Sequence, residues 1–161
     1  MRLRYATDDD APAVARVQTA AAREFGPGYY TDAQLDHWAR ERDPDDYDFD
    51  DGVHVVAESA DGVVGWGWVR PERSELSAVY VHPDHAREGV GTRVLDRLET
   101  EAGDRGCTAL SLWSSLPAVP FYDANGYRTV RRVELGEASL PSVVMRKLGV
   151  AAGSAGVTSR C

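Results

Sequence analysis

The sequence predicts one α/β domain, with about four helices around a mixed, mostly antiparallel sheet of about seven strands. Three observations carry this reading. Val53 to Ser59 and Val63 to Arg70 are β-rich runs joined by Asp61-Gly62, a strong hairpin signal. Glu75 to Val81 runs through a short glycine loop into a helical pattern and then into another apolar strand. Strand, helix and strand of that length form a βαβ unit, so the two strands are expected to be parallel neighbours. Helical patterns precede the sheet, and two more β-rich runs close it.

In chain order, Leu3 to Ala6 reads as a first strand. Thr7-Asp8-Asp9-Asp10 offers N-cap side chains, with Pro12 in the first turn where a missing N–H costs little. Val14, Val17, Ala21 and Phe25 recur at helical spacing, so Asp9 to Glu24 is an amphipathic helix ended by Gly26-Pro27-Gly28. Thr31 and Gln34 form a capping-box pattern opening a helix from about Asp32 to Arg42 that buries Leu35 and Trp38. Asp43 to Gly52 is an acidic loop, tacked down by Tyr47 and Phe49. The hairpin follows, then a turn at Pro71 to Ser74 and the strand Glu75 to Val81.

After the glycine loop, a helix from about Gly89 to Asp104 presents Val90, Val94, Leu95, Leu98 and Ala102 on its apolar face, and Gly106 ends it. Cys107 to Trp113 is a buried strand, Pro117 to Ala124 a short helix stopped by Asn125-Gly126, and Tyr127 to Leu135 and Ser142 to Leu148 a closing hairpin. The domain therefore spans 1–148, and the small, polar residues 149–161 read as a flexible tail.

Composition excludes several classes of function. The net charge is −8 and the pI about 4.9, with Lys147 the only lysine against 17 arginines. Such a surface repels nucleic acid and anionic lipid, so neither is an expected partner. Adaptation to high salt and a GC-rich genome both account for the bias. No apolar run is long enough to span a membrane. Two cysteines, Cys107 and the terminal Cys161, suit a reducing cytoplasm, and Cys107 suits a core position better than a nucleophile. No His, Cys, Asp or Glu spacing suggests a metal site.

Gly89-Val90-Gly91 at a helix start leaves backbone N–H groups free at the positive end of the helix, which favours an anion such as phosphate. The loop is neither GxGxxG, since position 94 is Val94, nor a P-loop, since no Gly-Lys-Ser/Thr follows. Alone it is an anion site or a simple turn. Its setting is more specific: Val79-Tyr80-Val81-His82-Pro83 precedes it, and Phe121-Tyr122-Asp123-Ala124-Asn125-Gly126-Tyr127 follows one strand later.

This arrangement resembles the GNAT superfamily of acyl-CoA N-acyltransferases, over about nine-tenths of the chain. The family signature Gln/Arg-x-x-Gly-x-Gly/Ala falls on Ala86 to Gly91: both glycines match, Ala86 replaces the leading side chain and Arg87 stands one place later. The signature Phe-Tyr-x-x-x-Gly-Phe/Tyr is met by Phe121, Tyr122, Gly126 and Tyr127.

The resemblance implies acetyl transfer from acetyl-CoA, a cosubstrate, to an amine by direct attack. It implies that the strand before the glycine loop splays from its parallel neighbour, so that Val79, Tyr80 and Val81 offer backbone groups to pantetheine and one N–H polarises the thioester. It implies that the N–H groups of Arg87, Glu88, Gly89, Val90, Gly91 and Thr92 hold the pyrophosphate beside Phe121. Tyr122 falls on the family's general acid, against its plain reading as a packed helix tyrosine. Glu75 is a candidate base, and strand alternation puts it on one face with Ser77, Val79 and Val81; an exposed turn carboxylate is the other reading. Glu24, His82 and His85 are weaker candidates. Tyr29 and Tyr30, with Trp66 and Trp68 on one strand face, are expected to wall an acceptor pocket suited to an apolar or aromatic amine. Many family members are homodimers, which a dimer here would match. A non-catalytic acyl-CoA-binding sensor or interaction module that kept the cradle is the rival reading. The acceptor, small molecule or peptide, is not legible.

Overall fold

The computed structural model describes residues 1–150. Seven strands form one sheet: β1 (Arg2–Tyr5), β2 (Val53–Ser59), β3 (Gly62–Arg70), β4 (Glu75–Val81), β5 (Ala109–Ser115), β6 (Arg128–Leu135) and β7 (Leu140–Leu148). Their order is β1-β2-β3-β4-β5-β7-β6, antiparallel throughout except for the parallel pair β4–β5. Four α-helices flank the sheet: α1 (Ala11–Phe25), α2 (Asp32–Trp38), α3 (Val90–Asp104) and α4 (Val119–Ala124). The α/β class, the two hairpins and the parallel pair are as the sequence predicts.

Strand β3 shows how one sequence serves two layers. Its alternation Gly65-Trp66-Gly67-Trp68 sends glycines to one face and indoles to the other. A Cβ at Gly67 would lie 2.5 Å from Val94 and Leu98, so the glycines let α3 lie directly on the sheet. On that face Val90, Val94, Leu95, Leu98 and Ala102 of α3 pack with Leu76, Leu110, Leu112 and Met145. Each large side chain buried there contributes about 1.5–3 kcal/mol. On the opposite face Val14 and Val17 of α1 close over Val56, Val63 and Trp66.

Several boundaries move, each for a local reason. Helix α1 begins at Ala11, after a 3-10 turn at Asp8–Asp10, because the buried Asp10 carboxylate accepts the Thr7 N–H at 2.8 Å and is clamped by Arg4 at 2.8 and 2.9 Å. The Thr31–Gln34 capping box forms as expected. Helix α2 ends at Trp38 rather than Arg42, since the Arg42 guanidinium turns back to the Trp38 carbonyl at 2.9 Å. Strand β5 starts at Ala109 rather than Cys107, whose N–H instead closes the end of α3 on the Ala102 carbonyl at 3.1 Å. Helix α4 starts at Val119, behind a 3-10 turn at Leu116–Ala118. Glu101 of α3 is buried, bonded to Tyr5, Arg97 and Arg105. Val150 is buried and donates to the Thr108 carbonyl at 3.0 Å, so the ordered chain reaches past 148; the rest of the expected tail lies outside the described residues.

Candidate acyl-transfer cleft

The parallel pair touches at one register point, Glu75 opposite Ser111, with the Ser111 N–H donating to the Ser74 carbonyl at 2.9 Å. Beyond that point β4 and β5 diverge. The antiparallel ladder between β3 and β4 then fixes which backbone groups are left over. His82 donates to the Val64 carbonyl at 2.8 Å, and pairs alternate along such a ladder, so Tyr80 and Ala78 bond to β3. The N–H and C=O groups of Val79 and Val81 therefore point away from β3, into the opening.

The opening is a cleft of about 410 Å³. Leu76 to Val81 form one wall and Leu112 to Ser115 the other. One end reaches the start of α3, with Arg87, Gly89, Val90, Gly91 and Thr92 in the lining. Glu88 is not in the lining and faces His85 at 3.3 Å. Among the described residues no side chain caps α3, so its first N–H groups have no partner within the helix and face the opening for an anion. The loop is bent by two residues in the left-handed region, Arg87 at φ 63° and Gly89 at φ 82°. For Arg87 that conformation costs about 1–3 kcal/mol, which the neighbouring structure must offset. Gly91 has no side chain where a Cβ would stand 3.1 Å from the Phe121 ring, so Phe121 closes over the helix start.

Tyr122 lies in the lining with its ring buried against Phe121 at 5.1 Å and Tyr127 at 5.7 Å. Tyr127 is fixed in turn: its hydroxyl donates to Glu99 at 2.8 Å, and Lys147 holds the other Glu99 oxygen at 2.9 Å. Among the described residues the Tyr122 hydroxyl has no hydrogen-bond partner, yet no buried polar side-chain atom is orphaned, so the hydroxyl meets the cleft. Burial pushes its pKa well above that of an ordinary phenol, so the group stays protonated.

Glu75 requires a correction. A β-bulge inserts Ser77 opposite the step from Trp68 to Val69, because Trp68 pairs with Ala78 but Val69 with Leu76. The bulge resets the alternation. Leu76, Val79 and Val81 belong to the α3 side, while Glu75 shares its face with Ser77, Ala78 and Tyr80. Glu75 stands at the apex of the V, ion-paired to Arg70 and accepting from the Ser77 hydroxyl at 2.8 Å. Ser77 lines the cleft and Glu75 does not. Neither Glu24 nor His82 lines it either, whereas His85 does.

The four aromatic residues expected to wall an acceptor pocket do not line the cleft. Trp66 and Trp68 share a face, but they stack with His54 beneath α1 and do not line the cleft. Tyr29 is half exposed. The Tyr30 hydroxyl accepts from the Leu116 N–H at 2.9 Å and its ring sits 5.2 Å from Trp38. The aromatic lining on this side comes from Phe25, Trp38, Tyr80 and Trp113. The helix patterns give Phe25 and Trp38 core roles, the strand pattern does the same for Trp113, and none of the three carries a sequence signal for the cleft. The contribution of Phe25 and Trp38 depends on where α1 and α2 dock. Among the described residues, no helix is long and apolar enough to cross a membrane, and no group of three metal-ligating side chains is present.

The fold has counterparts among known proteins. The pattern of the acetyltransferase (GNAT) family matches residues 19–127. The uncharacterized N-acetyltransferase YjcF of Bacillus subtilis (strain 168) is 32% identical over 96 residues, covering 58% of this chain and 69% of that protein. A GCN5-related N-acetyltransferase from Rhodopseudomonas palustris superposes with a TM-score of 0.84 at 26% identity, over 91% of this chain and 94% of that one. Two more distant structures share the fold. PaiA N-acetyltransferase from Thermoplasma acidophilum, in complex with coenzyme A, has a TM-score of 0.68 at 16% identity, over 91% and 98% of the two chains. YncA from Salmonella typhimurium, with its cofactor acetyl-CoA, has a TM-score of 0.67 at 20% identity, over 98% of each. The family match takes in the diverging strands, the glycine loop and the segment from Phe121 to Tyr127, and the chain belongs to the acetyltransferase (GNAT) family.

Proposed function

We propose that the chain moves an acetyl group from acetyl-CoA to an amine by direct attack, without an acyl-enzyme. The observation that carries this is the cleft itself. Two strands joined at one point open onto a helix start uncapped among the described residues, and onto a protonated tyrosine hydroxyl that has no partner among them. The coenzyme A and acetyl-CoA complexes among proteins of the same fold support the choice of cosubstrate.

In this reading Val79 and Val81 pair with the pantetheine amides, and one of their N–H groups polarises the thioester carbonyl. The N–H groups from Arg87 to Thr92 take the pyrophosphate, with Arg87 adding charge and Phe121 covering the turn. The amine nitrogen bonds to the acetyl carbon as the C–S bond breaks. Its surplus proton passes to Glu75 through the Ser77 hydroxyl or water, Tyr122 protonates the departing sulfur, and the proton on Glu75 returns through solvent to the Tyr122 phenolate, which restores both groups. Phe25, Trp38, Tyr80 and Trp113 flank the acceptor, with Tyr30 bracing Trp38.

Thiol release from acetyl-CoA measured across a panel of amines tests this. Amine-dependent release is the expected result. Tight binding of CoA with no release from any amine would instead describe a binding module.

A further inference from the structure

The face of the sheet that continues outward from the acceptor side of the cleft carries a charge opposite to that of the protein. Leu110, Leu112 and Met145 are buried under α3, so alternation turns Ser111 and Trp113 of β5, and Val144 and Arg146 of β7, to the other face. The register extends these into rows: Ser111, Arg146 and Arg128 lie side by side, and so do Trp113, Val144 and Arg131. Trp113 is 50% exposed, and Arg128, Arg131 and Arg146 are exposed. Among the described residues, none of these three arginines has an ion pair or a side-chain hydrogen bond. Arg2, Arg4, Arg70, Arg97, Arg105 and Lys147 all pair with carboxylates. The segment from Arg128 to Leu148 holds five basic side chains against two acidic ones, in a chain of net charge −8.

We propose that this face docks an acidic peptide acceptor, whose free amine enters the cleft beside Trp113 while carboxylates on the following residues sit over Arg146, Arg131 and Arg128. The inference rests on the acetyl-transfer reading of the cleft. Charge complementarity selects the sign of the partner. Distance selects its size: β6 lies two strands beyond β5, about 10 Å, which is about three residues of extended chain. A small amine seated in the cleft does not reach that far. Trp113, exposed at the mouth, supplies an apolar platform for the first residue.

Arg131 and Arg132 are adjacent, and alternation puts them on opposite faces, so Arg131→Gln and Arg132→Gln change the charge equally at different places. Binding of the peptides Ala-Glu-Glu-Glu-Tyr and Ala-Lys-Lys-Lys-Tyr is measured calorimetrically with CoA present, at low and high salt. The acidic peptide is expected to bind more tightly, with affinity falling as salt rises. Arg131→Gln should weaken it several-fold and Arg132→Gln less than twofold. Loss of all three arginines together should cost about tenfold or more, from exposed pairs of modest individual strength. Equal binding of the two peptides, or equal effects of the two single variants, overturns the proposal. So does a dimer that Arg131→Gln dissociates while peptide affinity is unmoved, since the face would then belong to a second copy. Thiol release is followed in parallel. Docking as expected with no release from any amine counts against acetyl transfer alone, whereas release with the basic peptide and none with the acidic one counts against this face.

Discussion

The Trp66 indole N–H donates to Nδ1 of His54 across 3.2 Å. Nδ1 is therefore an acceptor, the ring proton sits on Nε2, and Nε2 faces the Asp51 carbonyl at 3.0 Å. Both nitrogens are satisfied only while the imidazole is neutral. A proton added at Nδ1 would confront the indole N–H among the stacked rings of Trp66 and Trp68 and the edge-on ring of Phe49.

Burial lowers the His54 pKa below its ordinary value. The folded state thus holds His54 neutral where the unfolded chain binds a proton. The associated stability is complete above about pH 6.5 and is lost as pH falls. As pH falls below that value the loss has a slope of at most one proton. Urea unfolding between pH 8 and pH 5 should show this loss. The carboxylate of Asp10, held low by Arg4, acts only in a more acidic range. His54→Phe should be less stable at pH 8, losing the Trp66 bond, yet flatter with pH. An unchanged slope in that variant would assign the loss to other groups.

Tyr122→Phe removes a hydroxyl without a partner among the described residues, so the fold should tolerate it with little change in Tm. If the hydroxyl protonates the leaving thiolate, kcat falls about 10²-fold or more while the KM for acetyl-CoA stays near that of the wild type. The raised pKa adds a second expectation: no basic limb from this tyrosine below about pH 10. A variant that turns over normally would leave Tyr122 as packing between Phe121 and Tyr127.

Ser77 separates Glu75 from the cleft, so the two should fail together. Glu75→Gln can still accept from Arg70 and from Ser77, which preserves the local bonding. Its kcat should fall about 10²-fold with little loss of stability. Ser77→Ala should lose part of the same factor, and the double variant no more than Glu75→Gln alone, because both stand on one proton path. Additive losses would mean that water reaches Glu75 by another route.

This arrangement marks where sequence reading stops. The hairpin at Asp61-Gly62, the apolar face of α3 and the two glycines of the loop were legible, because local pattern and tertiary structure demand the same residues there. The bulge at Ser77 was not. Leu76-Ser77-Ala78-Val79 contains no glycine, proline, asparagine or aspartate, and the extra residue is imposed by the partner strand. A slip of one residue moves Glu75 to the other face of the sheet. The aromatic lining of the cleft was hidden for a related reason. Residue type offered four tryptophans, but docking of α2 brings Trp38 to the cleft and the divergence of β5 exposes Trp113 there, while Trp66 and Trp68 stack on His54.

The close seat of α3 on β3 supplies a test of the scaffold beneath the cleft. At Gly67 a Cβ would stand 2.5 Å from both Leu98 Cδ1 and Val94 Cγ1, inside any attainable contact. Gly67→Ala must push α3 outward or force its side chains off their rotamers, at a cost of about 1–3 kcal/mol. A fall of several degrees in Tm is expected, by about 2–4 °C per kcal/mol for a domain of this size. The start of α3 should shift with it, weakening CoA binding at a site that Gly67 does not touch. Val94→Ala by itself leaves a cavity. In the double variant the new methyl fills part of that space, so the combined loss should be smaller than the sum of the two. Strict additivity, or a Gly67→Ala protein as stable as the wild type, would show that the helix does not rest on this strand as tightly as the geometry requires.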